Sequence, residues 1–131
     1  MTILIIDDND TNRKLCRVIL EQSGFRTREA ANGREGLQAV RAELPALILL
    51  DVQMPVMDGL ETLKRLKADP GTRGIPVVAL TSYAMKGDRE RLLTEGFSDY
   101  VSKPIDIDHF LEVVRRLALT RTRPPLPTGE A

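Results

Sequence analysis

Two short runs built only of branched apolar residues, Ile3-Leu4-Ile5-Ile6 and Leu47-Ile48-Leu49-Leu50, each end on aspartate. A strand with one wet face alternates apolar and polar side chains. A run with no polar member suits a strand covered on both sides, the setting of a parallel sheet between helices. The carboxylates Asp7, Asp8 and Asp51 then fall at C-terminal strand ends, the edge where open α/β sheets bind ligands. If the two strands are neighbours, three negative charges share one crevice and repel each other unless a cation joins them.

The rest of the chain alternates in the same way. Strands are expected at 2–7, 26–30, 46–51, 76–82 and 99–102, and helices at 11–23, 32–43, 60–68, 87–95 and 106–119. In the first helix Leu15, Ile19 and Gln22 are placed on one face with Val18, and Gly24 closes it as a C-terminal glycine does. Asp69-Pro70-Gly71 stops the third, and Asp106 or Asp108 caps the fifth. The fourth is mostly charged apart from Leu92 and Leu93, so it is expected to pack thinly. Strands each followed by a helix imply right-handed crossovers and a doubly wound five-stranded parallel sheet. The polar second strand, Arg26-Thr27-Arg28-Glu29, reads as an edge. That fits the flavodoxin-like order 2-1-3-4-5, which sets strands one and three side by side.

With 131 residues the chain suits one domain, expected at 1–120, and 121–131, with its three prolines, reads as a flexible tail. Lys+Arg and Asp+Glu balance at 19 each, so no global field draws the chain to nucleic acid or a membrane. Cys16 lies among Leu15, Ile19 and Leu20 and reads as a core thiol. The N-terminus has no basic region before its short apolar run, and no stretch reaches the roughly 20 apolar residues of a membrane span. A cytoplasmic protein is the expectation.

Groups at four strand ends converge at one edge: Asp7 and Asp8 after strand one, Asp51 after three, Thr81 after four and Lys103 after five. Mg²⁺ takes a few hard oxygen ligands and keeps several waters. Asp8, Asp51 and the Gln53 carbonyl are candidates for three of its positions. An Asp51 oxygen is then free to attack phosphorus, with the metal, the Lys103 ammonium and the Thr81 hydroxyl offsetting charge on the phosphoryl oxygens. A lone aspartate at a strand end is ordinarily a cap or turn residue, and Thr81-Ser82 by themselves read as a cap. Together, at matching strand ends and with Lys103 followed by Pro104, they read as a site.

These residues resemble the receiver domains of two-component response regulators. The likeness rests on Asp7-Asp8, on Asp51 through Gln53, Met54 and Pro55 to Asp58-Gly59, on Thr81-Ser82, and on Tyr100 through Lys103-Pro104. It spans about residues 2–119. It implies that Asp51 is the phosphoacceptor and that Asp8, Asp51 and the Gln53 carbonyl hold Mg²⁺, with Asp7 helping through water. It also implies that Lys103 pairs with the phosphoryl group, that Thr81 bonds one of its oxygens, that Tyr100 is the aromatic switch, and that Lys103–Pro104 is cis. Residues 83–88 and 102–112 look like those of single-domain cell-cycle regulators of the DivK type.

The function so implied is a phosphorelay switch. It takes a phosphoryl group from a histidine kinase or histidine phosphotransfer protein and signals to a downstream protein through the face of helix four, strand five and helix five. It acts as a monomer or a phosphorylation-dependent dimer. The chief rival is a phosphatase of the haloacid-dehalogenase type with Asp51 as nucleophile. That chemistry needs an acid/base two residues on, where Gln53 stands; slow self-dephosphorylation is the expectation, not multiple turnover. Intact Asp8, Asp51, Thr81 and Lys103 argue against a degenerate receiver that binds partners without phosphorylation. A dinucleotide site is excluded by the acidic, glycine-free turn after strand one. His109 reads as a surface histidine, and Met54, Met57 and Met85 as space-filling or partner-facing residues.

Overall fold

The computed structural model describes residues 2–52, 58–82 and 88–122. Five strands alternate with five helices: β1 (Thr2–Ile6), α1 (Asp10–Gln22), β2 (Arg26–Ala30), α2 (Gly33–Ala42), β3 (Leu47–Asp51), α3 (Gly59–Ala68), β4 (Val77–Thr81), α4 (Asp88–Glu95), β5 (Asp99–Ser102) and α5 (Ile107–Thr122). The strands form one parallel sheet in the order β2-β1-β3-β4-β5. This is the doubly wound, flavodoxin-like arrangement expected from the apolar runs. All five residues of β3 and of β4 are buried, whereas β2 buries only Ala30 and lies at an edge.

The strand period of two divides the core into two layers. Leu4, Ile6, Ile48, Leu50, Val77 and Ala79 face one side, where Leu37 and Val40 of α2, Leu63 and Leu66 of α3 and Leu92 of α4 cover them. Ile3, Ile5, Leu47, Leu49, Val78, Leu80 and Val101 face the other, under Cys16, Ile19 and Leu20 of α1 and Phe110, Val113 and Val114 of α5. As expected, α4 is thinly anchored: Leu92 is buried and Leu93 is exposed.

Local chemistry fixes the helix ends. The side chain of Asn9 accepts from Asn12 N, that of Asn32 from Glu35 N, and that of Asp58 from Glu61 N, each relieving an unpaired first-turn amide. Asp106, not Asp108, caps α5, through Oδ1 to His109 N at 3.2 Å. Gly24, at φ 94, ends the α1 turn in a conformation that disfavours a Cβ.

One expectation is corrected. Leu15 is 43% and Val18 38% exposed, and Gln22 is exposed too, whereas Cys16, Ile19 and Leu20 are buried. Leu15-Val18-Gln22 and Cys16-Ile19-Leu20 are both i, i+3/i+4 sets, one residue (about 100°) apart, so spacing alone fits either. The sheet takes the second. Three strands begin or end a residue or two inside the expected limits, leaving Asp7 just beyond β1. The last described helix runs through Arg121 and Thr122, and 123–131 lie outside the described residues.

Candidate functional site

Alternation along the strands carries straight into the site. Asp7 continues the Ile3, Ile5 row, Asp51 the Leu47, Leu49 row, and Lys103 the Val101 position, so all three belong to the α1/α5 side of the sheet. The pairing of β1 with β3 brings the first two carboxylates together. One ligand oxygen from each of Asp7, Asp8 and Asp51 lies within 4.8 Å of the others. Asp7 and Asp51 are buried, and Asp8 is exposed.

Lys103 joins the two buried members. Its Nζ lies 3.3 Å from Asp7 Oδ2 and 3.6 Å from Asp51 Oδ2. Lys103 is held by its own backbone, since its N–H donates to the Thr81 carbonyl at 2.8 Å, and the Lys103–Pro104 peptide is cis. Asp7 Oδ1 accepts the Asn9 N–H at 2.9 Å, but among the described residues the buried Oδ2 has no hydrogen-bond partner of good geometry. An oxygen withdrawn from water and paired, among the described residues, with a nearby ammonium fits a site that takes a further cation. Three carboxylates are hard oxygen donors of the kind Mg²⁺ takes.

Below the carboxylates lies Cys16, fully buried. Burial pushes its thiol up to about 12; the Asp7 carboxylate adds to the rise and the Lys103 ammonium opposes it. It is the inert core thiol expected from the sequence.

Thr81 is buried at the end of β4 and belongs to the opposite parity, in the row of Val77 and Ala79. Tyr100 is half-buried and packs on that same side. The ladder pairs Ala79 with Tyr100 and Thr81 with Ser102, so the ring sits one same-face step below the hydroxyl, beside a side chain that is only a methyl group. Ser82 and Pro104 are exposed at the rim. His109 is exposed on α5, as a surface histidine should be. Gln53, with Met54 and Met57, and Tyr83 with Met85 lie outside the described residues.

Two further features shape the site. Gly59 opens α3 directly against β3: its N–H donates to the Val52 carbonyl at 3.1 Å, and a Cβ there would stand 2.6 Å from the Asp51 carbonyl oxygen. Arg13, in the first turn of α1, reaches back to the Asp7 carbonyl at 2.6 Å. The sequence signal for the first was its place at the end of the Asp51-to-Gly59 stretch that carries the family likeness, which did not disclose how closely it approaches Asp51. The second had none beyond a basic residue near acidic ones.

Residues 3–115 match the profile of the response regulator receiver domain. The chain belongs to that family. Among curated relatives, the polar-differentiation response regulator DivK of Brucella anthropi is 45% identical over 114 residues, which are 87% of this chain and 93% of the relative. A putative response regulator from Chloroflexus aurantiacus superposes with a TM-score of 0.85 at 30% identity, covering 90% of this chain and 97% of that one. The receiver domain of a sensor histidine kinase from Pseudomonas aeruginosa, solved with a magnesium ion coordinated in its active site cleft, gives 0.81 at 30% identity, covering 89% and 96%. This receiver domain is thus a DivK-like module of two-component signalling. Among its described residues no helix is long and apolar enough to cross a membrane.

Proposed function

We propose that this receiver domain is a phosphorylation switch whose phosphoacceptor is Asp51. The observation that carries the reading is the placement of Lys103 Nζ between Asp7 and Asp51, 3.3 and 3.6 Å away, with Asp8 open to solvent beside them. A carboxylate held next to an ammonium and near two further carboxylates is poised to keep a metal and an incoming phosphoryl group together. Asp8, Asp51 and the Gln53 carbonyl would hold Mg²⁺, with Asp7 assisting through water. The metal, when bound, offsets the charge of the transferring phosphoryl group.

The protein's own groups do the rest. An Asp51 carboxylate oxygen attacks phosphorus of a phosphohistidine on a histidine kinase or histidine phosphotransfer protein. The N–P bond breaks, and the imidazole leaves with its electron pair. Lys103 pairs with the phosphoryl oxygens, and the Thr81 hydroxyl donates to one of them. Withdrawal of Thr81 toward the phosphoryl group opens the space above Ala79, which Tyr100 can enter from one step below. Two arrangements of Thr81 and Tyr100 give a bistable element whose balance the added charge of nearly two units shifts. The thin anchoring of α4 makes the α4-β5-α5 face the place where a downstream protein, or a second phosphorylated copy, reads the state. The Gln53 amide cannot serve as a general acid or base toward an attacking water, so hydrolysis of the acyl phosphate is slow, and the protein is a timer in the cytoplasm with no multiple-turnover activity.

The test is intact mass after incubation with Mg²⁺ and a small phosphodonor such as acetyl phosphate. One added phosphoryl group is expected, absent with Asp51→Asn and absent without Mg²⁺. Rapid multiple turnover of donor would favour a phosphatase; no adduct would favour a receiver that works unphosphorylated.

A further inference from the structure

The guanidinium of Arg13 is anchored on three elements at once. Nη1 donates to the Asp7 carbonyl at 2.6 Å, Nη2 pairs with the Asp10 carboxylate in the first turn of α1, and Nε donates to Glu29 Oε1 of β2 at 3.2 Å. Glu29 is itself held from the other side, with Oε2 3.1 Å from Arg17 Nε. Arg13 is 14% exposed while Asp10 is 89% exposed, so the fork is sunk beneath the loop it ties down.

The Asp7 carbonyl belongs to the peptide that joins Asp7 to Asp8. Fixing that peptide plane fixes where the Asp8 N and Cα lie, and so the point from which its side chain starts. Among the described residues, the Asp8 side chain makes no hydrogen bond or ion pair, and it is the exposed member of the carboxylate cluster. Its neighbours are fixed differently: Asp7 by Asn9 and Lys103, Asp51 by the β3–β4 ladder. We infer that Arg13 is a positioning residue that aims Asp8 into the metal site, with Glu29 and Arg17 as its back-stop. The inference rests on the metal reading above.

Charge alone predicts the opposite. A cation beside three carboxylates lowers their pull on a metal, so deleting Arg13 would tighten Mg²⁺ binding if the guanidinium acted only through its field. A lysine would keep the charge but cannot span the Asp7 carbonyl and Glu29 with a planar fork. The two roles therefore separate cleanly in Arg13→Lys and Arg13→Met.

Mg²⁺ affinity is measured by calorimetry or by the amide shifts of Asp8 and Asp51, alongside thermal unfolding without metal. Positioning predicts that both variants weaken Mg²⁺ binding about tenfold, the usual scale for groups that orient metal ligands. Asp51 phosphorylation should need correspondingly more Mg²⁺ but reach a rate within about twofold of the parent at saturation, on the same scale. Glu29→Gln, which leaves Arg13 in place and weakens its back-stop, should shift Mg²⁺ affinity in the same direction by less. Tighter binding by Arg13→Met with Arg13→Lys unchanged would overturn positioning in favour of a field effect. Unchanged affinity in both would overturn any role. If the parent itself shows no Mg²⁺ response, the metal reading fails and carries the inference down with it, an outcome visible before any variant is compared.

Discussion

Gly59 lies against Asp51 so closely that a Cβ at position 59 would stand 2.6 Å from the Asp51 carbonyl oxygen and 2.7 Å from Val52 Cα. Both are backbone atoms and neither can swing aside. Gly59→Ala should therefore push the start of α3 away from β3, at a cost of about 2 kcal/mol. It should also slow Asp51 phosphorylation, because the strand end that carries the carboxylate moves with it. Urea unfolding and intact-mass kinetics check the two effects, and wild-type values for both would refute the close-approach account.

Lys103 stands between two buried carboxylates. In metal-free buffer Lys103→Met leaves Asp7 and Asp51 without that ammonium, and a stability loss of about 3 kcal/mol is expected. Mg²⁺ should restore part of the loss and bind more tightly than to the parent, while phosphorylation falls by at least about tenfold for want of a charge opposite the phosphoryl group. Denaturation midpoints with and without Mg²⁺, read beside adduct formation, separate the two roles.

The buried thiol of Cys16 predicts an alkaline signature. Its folded value, pushed up to about 12, lies above the ordinary value of 9.0. The unfolded chain therefore ionises first. The contribution is fully present below pH 9 and is lost as pH rises toward 12, by about 2 kcal/mol midway. Comparing the parent with Cys16→Ala between pH 8 and pH 10.5 in Mg²⁺-free buffer should show the steeper alkaline loss in the parent. Equal slopes would mean that the thiol ionises as readily folded as unfolded.

The phase of α1 makes a stability contrast. Leu20 is fully buried and Leu15 is 43% exposed. Leu20→Ala should cost 2–5 kcal/mol, as a core cavity does, and Leu15→Ala less than about 1 kcal/mol. Similar losses from both would restore the helix face first expected from the sequence.

Most of the architecture could be read from Ile3 to Ile6 and Leu47 to Leu50, because runs without polar members leave a strand no wet face. Those runs also placed Asp7 and Asp51 in adjacent rows, which is why the carboxylate cluster was legible in the sequence. The polar second strand was legible as an edge for the same reason in reverse. The rotation of α1 was not, since two apolar stripes one residue apart satisfy the same period and only the sheet chooses between them. The choice of Asp106 over Asp108 as a cap depends on where the turn after Pro104 releases the chain. Arg13 was missed because the partners that tie it to the site are a carbonyl and a carboxylate sixteen residues on; only its pairing with Asp10, at i, i+3, leaves a mark in local spacing, and that pair by itself reads as a surface contact.

The course of α5 has a practical corollary. It begins four residues after Lys103, at the edge that holds the carboxylates, and its sixteen residues carry the backbone about 24 Å away before Thr122. Cargo fused behind Thr122, whether a fluorescent reporter or a surface tether, departs from the far end of the sheet. A labelled or immobilised receiver should thus keep its crevice clear for a docking donor, and the C-terminal side is the one on which to build an assay.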